Sequence, residues 1–69
     1  MAYKVGRCLL RYRLKEAGMT QRELAEKLGV SEPQINKYVN NRQGMSYQVA
    51  YNIAIILGCR MEDLYEWFK

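Results

Sequence analysis

Two helix starts lie close together in this chain, and the short link between them restricts its fold more than any other feature. Thr20-Gln21-Arg22-Glu23 is a capping box. In such a box the threonine hydroxyl takes up a free backbone N–H of the first turn, and the glutamate reaches back to the threonine's own N–H. Ser31-Glu32-Pro33-Gln34 is a second, with Pro33 in the first turn, where its missing N–H costs nothing. The first of these helices runs to Leu28, so only Gly29-Val30-Ser31 separates the pair. A connection that short forces a sharp crossing of two helices. Leu24, Ala25, Leu28, Val30, Ile35 and Tyr38 fall at buried positions, with polar residues between them. Ala25 is small where the helices approach, and Gly29 stands where the turn needs a left-handed or crowded backbone.

Around this pair the punctuation predicts three more helices. A first helix is expected from about Tyr3 to Ala17, with Leu10, Leu14 and Ala17 on one face and Gly18 closing it. A fourth begins at the cap Ser46 and ends at Leu57-Gly58, and a fifth spans about Met61 to Phe68. Nothing reads as a strand pair, and there are no repeats or linkers. The 69 residues allow one domain, 1–69, with a small core. The expected class is all-α, a compact bundle of five helices.

Charge and composition narrow the chemistry. The net charge is +4, and it is uneven: residues 1–42 carry nine Lys/Arg against Glu16, Glu23, Glu26 and Glu32, while the remainder is slightly acidic. A basic half on so small a domain suits a polyanion, unless it is simply a solvated cationic face. Histidine is absent, so the usual general base is missing, and Cys8 and Cys59 alone do not make a zinc site. No enzyme activity, metal, cofactor or small-molecule ligand is expected. No apolar leader or membrane-length run is read, which points to the cytoplasm and to two reduced, buried cysteines.

The run Met19-Thr20-Gln21-Arg22-Glu23-Leu24-Ala25-Glu26-Lys27-Leu28-Gly29-Val30-Ser31 closely resembles the signature of the phage Cro and repressor type of helix-turn-helix, often called the xenobiotic-response-element family. Ser46 through Gly58, then Met61 to Leu64, look like its fourth and fifth helices in register. The resemblance covers about residues 6–68. It implies a five-helix, lambda-repressor-like DNA-binding domain with the motif at about 20–40. The implied function is a small transcriptional regulator, a repressor by expectation, of bacterial, phage or mobile-element origin. Its partner would be a double-stranded, pseudo-palindromic operator bound by a homodimer.

Carried onto matching positions, the resemblance makes the third helix, about Ser31 to Asn40, the major-groove reader. Its outward residues are Glu32, Pro33, Gln34, Asn36 and Lys37. Lys37 suits guanine O6/N7, Asn36 or Gln34 adenine, and Glu32 cytosine N4, while Pro33 offers an apolar surface to a thymine methyl. Phosphate contacts are expected from Gln21, Ser31, Asn40, Asn41 and Arg42, near helix N-termini and in the loop that follows. The plainer reading of all these residues is a solvated helix face. Stacking of the aromatics on single-stranded bases is an alternative, but Tyr38 and Tyr47 fall on core-facing positions and Leu64 with Phe68 form an i, i+4 pair, so they read as core.

Surplus apolar surface predicts the dimer. The first helix has a second stripe of Val5, Cys8, Leu9 and Tyr12, Trp67 flanks the fifth helix, and the fourth is apolar almost all round. Val5, Leu9, Tyr12 and Trp67 are the expected interface. The same surplus supports an alternative, a protein-interaction module on the same fold, such as an antitoxin-like or anti-repressor partner.

Overall fold

The N-caps read from the sequence at Thr20, Ser31 and Ser46 are made in space. The computed structural model describes residues 2–69; its first helix, α1, spans Leu10–Glu16, and Thr20 caps the helix that follows. Met1, the first residue of the expected 1–69 domain, lies outside the described residues. Helix α2 spans Gln21–Leu28. The Glu23 N–H donates to Thr20 Oγ1 at 3.1 Å, and the Thr20 N–H donates to Glu23 Oε1 at 3.1 Å. Gly29 ends the helix at φ 80°. A Cβ at Gly29 would meet nothing within 4 Å, so the left-handed backbone, not crowding, is what requires glycine.

Helix α3 (Glu32–Val39) starts at Ser31, whose Oγ accepts from the Gln34 N–H at 3.3 Å. The reciprocal half of this second box is not made. The Gln34 side-chain amide turns away and donates to Gln43 Oε1 at 3.0 Å. Helix α4 (Tyr47–Leu57) is capped by Ser46, whose Oγ accepts from the Val49 N–H at 3.1 Å. The fully buried side chains are Leu10, Leu24, Ile35, Ile53 and Leu64. One comes from each helix, and Leu64 comes from a 3₁₀ turn, Met61–Leu64. Each such side chain contributes on the order of 1.5–3 kcal/mol by leaving water. Leu14, Ala25, Tyr38, Val39, Ala50 and Ala54 complete the core.

The two ends of the chain depart from the expected five-helix bundle. Among the described residues there are four α-helices and a two-stranded antiparallel sheet, β1 (Lys4–Cys8) and β2 (Tyr65–Phe68). The expected helix from Tyr3 is therefore a strand as far as Cys8, and the expected fifth helix is a 3₁₀ turn followed by a strand. The fold is predominantly helical but not all-α. An eight-residue helix without a firm cap is marginal, whereas Tyr65, Trp67 and Phe68 favour extended backbone. Gly6 weakens a helix interior but suits β1, because a Cβ there would collide with the Phe68 ring and lie 2.9 Å from Glu66 Cβ.

The register pairs Lys4 with Phe68, Val5 with Trp67 and Cys8 with Tyr65. Gly6 and Arg7 thus stand opposite Glu66 alone, a β-bulge. The Arg7 N–H at the bulge donates to Glu66 Oε1 at 3.1 Å. Three further bonds seat this clasp on the core: Leu9 N–H to Leu64 O at 2.7 Å, Arg13 Nε to Asp63 O at 2.7 Å, and the Trp67 indole N–H to Glu62 O at 2.8 Å.

Several burial assignments change with the ends. Val5, Cys8, Leu9 and Tyr12 do not form a helical stripe, since Val5 and Cys8 lie on β1. Ala17 is exposed, Tyr47 is 82% exposed rather than in the core, and Phe68 lies over Gly6 instead of pairing along a helix with Leu64. Tyr38 is buried as expected. Both cysteines are free thiols; Cys8 is buried and Cys59 half-buried. Burial pushes the Cys8 thiol and the Tyr65 hydroxyl above their ordinary values, which keeps both neutral.

Candidate nucleic-acid interface

Residues 32, 33, 36 and 37 of α3 fall on one helical face, away from the buried Ile35, Tyr38 and Val39. With Gln21 at the start of α2 and Arg42 beyond α3, Glu32, Pro33, Asn36 and Lys37 line one open concavity of about 400 Å³. Six of the ten residues expected to touch DNA are thereby brought together by three segments of chain. Lys37 and Arg42 outweigh Glu32 in charge there, and the unpaired first-turn N–H groups of α2 add a positive end.

Arg42 reaches this concavity because of how α3 ends. Asn41 takes the left-handed conformation at φ 60°. Its N–H donates to Tyr38 O at 3.2 Å, and the Arg42 N–H donates to Lys37 O at 2.9 Å, a Schellman closure with asparagine in the glycine position. The Asn41 side chain is used elsewhere: Oδ1 accepts from the Cys8 N–H at 2.8 Å, tying the loop to β1.

The remaining expected residues are engaged within the protein. Ser31 Oγ serves as the cap of α3, and the Gln34 amide, half-buried, is bonded to Gln43. Asn40 lies outside the concavity but is joined to it by a row of side-chain bonds. Arg11 Nη2 donates to Asn40 Oδ1 at 3.2 Å, Asn40 Nδ2 to Asn36 Oδ1 at 2.9 Å, and Asn36 Nδ2 to Gln21 Oε1 at 3.4 Å. Sequence reading missed Arg11. Arg11 is separated from Asn40 by 29 positions, and no local pattern reports a contact at that range.

Of the residues expected at a dimer interface, Val5 and Trp67 are cross-strand neighbours, 57% and 49% exposed. Tyr12 is exposed and Leu9 half-buried, and both line a cavity of about 300 Å³ with Arg7, Arg11 and Asn40. A second apolar surface lies on α4, where Tyr47, Tyr51 and Ile55 are exposed at successive i, i+4 positions. Among the described residues no helix is long and apolar enough to cross a membrane.

Comparison with known proteins agrees with this geometry. The chain is 36% identical over 67 residues to the SPbeta prophage-derived uncharacterized HTH-type transcriptional regulator YopS of Bacillus subtilis, covering 93% of this chain and 88% of that protein. It is 42% identical over 48 residues to an uncharacterized HTH-type transcriptional regulator of Archaeoglobus fulgidus, covering 70% of this chain and 69% of that one. Among solved structures, that of SinR, described as the master regulator for biofilm formation, in complex with DNA superposes with a TM-score of 0.72 at 28% identity, covering 80% of this chain and 89% of that one. Residues 9–69, which include the whole α2–α3 pair and the concavity, match the Cro/C1-type HTH DNA-binding domain, and the chain belongs to that family.

Proposed function

We propose that this chain binds duplex DNA sequence-specifically as a small transcriptional regulator, a repressor, with α3 in the major groove. The observation that carries this is the concavity in which the outward face of α3, the start of α2 and Arg42 meet. Lys37 donates to guanine O6/N7, Asn36 pairs with adenine, Glu32 accepts from cytosine N4, and Pro33 lies against a thymine methyl. Gln21 and Arg42 hold phosphates, aided by the N–H groups of the α2 terminus. Ser31, Gln34, Asn40 and Asn41 support this surface through their bonds within the protein, a smaller role than direct contact. Two copies on a two-fold axis read a pseudo-palindrome, with Val5, Leu9, Tyr12 and Trp67 available to cover one another.

The exposed row of Tyr47, Tyr51 and Ile55 favours a second reading, a module that docks a protein partner through α4. A duplex titration separates the two. DNA binding predicts that affinity falls steeply between about 50 and 200 mM salt, as several phosphates are neutralised. Lys37→Ala relaxes base preference at a cost of about 1–3 kcal/mol, whereas Gln21→Ala weakens all sequences alike. Absent or salt-insensitive duplex binding at micromolar protein refutes the proposal.

A further inference from the structure

We infer that Arg11, on α1, sets the hydrogen-bond polarity of the interface and so acts as a positioning residue for base reading by Asn36. This rests on α3 being the DNA-reading helix. A guanidinium carries only donors, whereas a side-chain amide has one accepting and one donating end. Because Arg11 Nη2 donates to Asn40, the atom facing it has to be the Asn40 oxygen, at 3.2 Å. The Asn40 nitrogen is then the end that faces Asn36, and it donates to Asn36 Oδ1 at 2.9 Å. That leaves the Asn36 nitrogen to donate to Gln21 Oε1 at 3.4 Å. Three amides, on α3 and α2, are therefore oriented in series by one cation on α1.

Two consequences follow for DNA. Gln21 turns its oxygen to Asn36, which leaves its NH₂ group, the right sign for a phosphate oxygen, without a hydrogen bond to the described residues. Asn36 keeps one lone pair on Oδ1 and one N–H on Nδ2, an acceptor and a donor of the kinds that adenine N6–H and N7 require. Reversing the row would turn the Gln21 oxygen toward the phosphate and repel it. Without Arg11, no donor-only group anchors the row, and the exposed amides are free to turn in water.

The test has a free-protein arm and a DNA arm. In the free protein, Arg11→Ala is expected to shift the side-chain amide NMR signals of Asn40, Asn36 and Gln21 together, with the melting temperature little changed because Arg11 is exposed. Arg11→Lys, whose head group also only donates, retains most of the wild-type pattern. On duplexes chosen by selection with the wild-type protein, Arg11→Ala is expected to lower discrimination about fivefold or more at the base pair that Asn36→Ala also affects. Arg11→Lys keeps most of that discrimination, and the double variant is no worse there than Asn36→Ala alone. A shift confined to Asn40, or a uniform loss of affinity with discrimination intact, would overturn the inference and leave Arg11 a surface charge or phosphate contact. Failure of the wild-type protein to bind any duplex, with all three amide signals responding together, would instead sink the DNA reading and with it the base-reading role, while the amide row stood.

Discussion

The helix-turn-helix and the clasp that joins the chain ends are built from bonds of very different reach. In the first, Thr20 bonds Glu23, Gly29 bonds Ala25, Ser31 bonds Gln34 and Arg42 bonds Lys37, all within a few positions. In the second, Arg7 bonds Glu66 across 59 positions, and Leu9 bonds Leu64. Local bonds are specified by residue types at fixed spacings, so a capping box can be read from four letters. A strand has no such completeness, since its partner and register lie elsewhere in the chain. The concavity proposed to read DNA belongs to the local region, and the clasp closes the core behind it.

The largest expected effect lies in the shared core. Ile35, fully buried on α3, is predicted to lose about 2–5 kcal/mol on truncation to alanine, enough to unfold much of a domain this small. Thermal melting followed by circular dichroism measures it, with duplex binding lost in parallel. A loss below that range would mean that the helix pair does not depend on the common core.

Gly6→Val tests the clasp. A side chain there displaces Phe68 and presses on Glu66, which should cost about 1–3 kcal/mol. Phe68→Ala in the same chain should recover part of it, because the ring is what the new side chain meets first. Duplex affinity of the folded protein should stay within about twofold, since neither residue lines the concavity. If Gly6→Val abolished binding at temperatures where the protein stays folded, the separation of clasp and interface would fail.

The smallest effect distinguishes the two helix starts within the local region. Thr20→Ala removes a complete capping box and should cost about 1 kcal/mol, while Ser31→Ala removes one bond of 3.3 Å and should cost roughly half as much. Urea titration of both variants checks the order. Equal losses would show that the missing return bond from Gln34 makes no difference.

The α2–α3 pair, both caps, the left-handed Gly29 and most of the core were legible from residue types and their spacing, because helix signals close within one or two turns. Gln21, Glu32, Pro33, Asn36, Lys37 and Arg42, singled out through the resemblance, lie around one concavity, and their contacts with DNA remain a proposal. The ends misled because Val5, Cys8, Leu9 and Tyr12, and likewise Met61, Leu64, Tyr65 and Phe68, satisfy helical spacing by chance. Gly6 inside the first of these and the aromatic run in the second were the available signs of strand, and they gain meaning only when the two segments lie side by side. Arg11 was invisible for a related reason. Its bond to Asn40 exists because the packing of α1 against α3 brings together positions 11 and 40, and side-chain polarity at that distance is set by three-dimensional neighbours rather than by order along the chain.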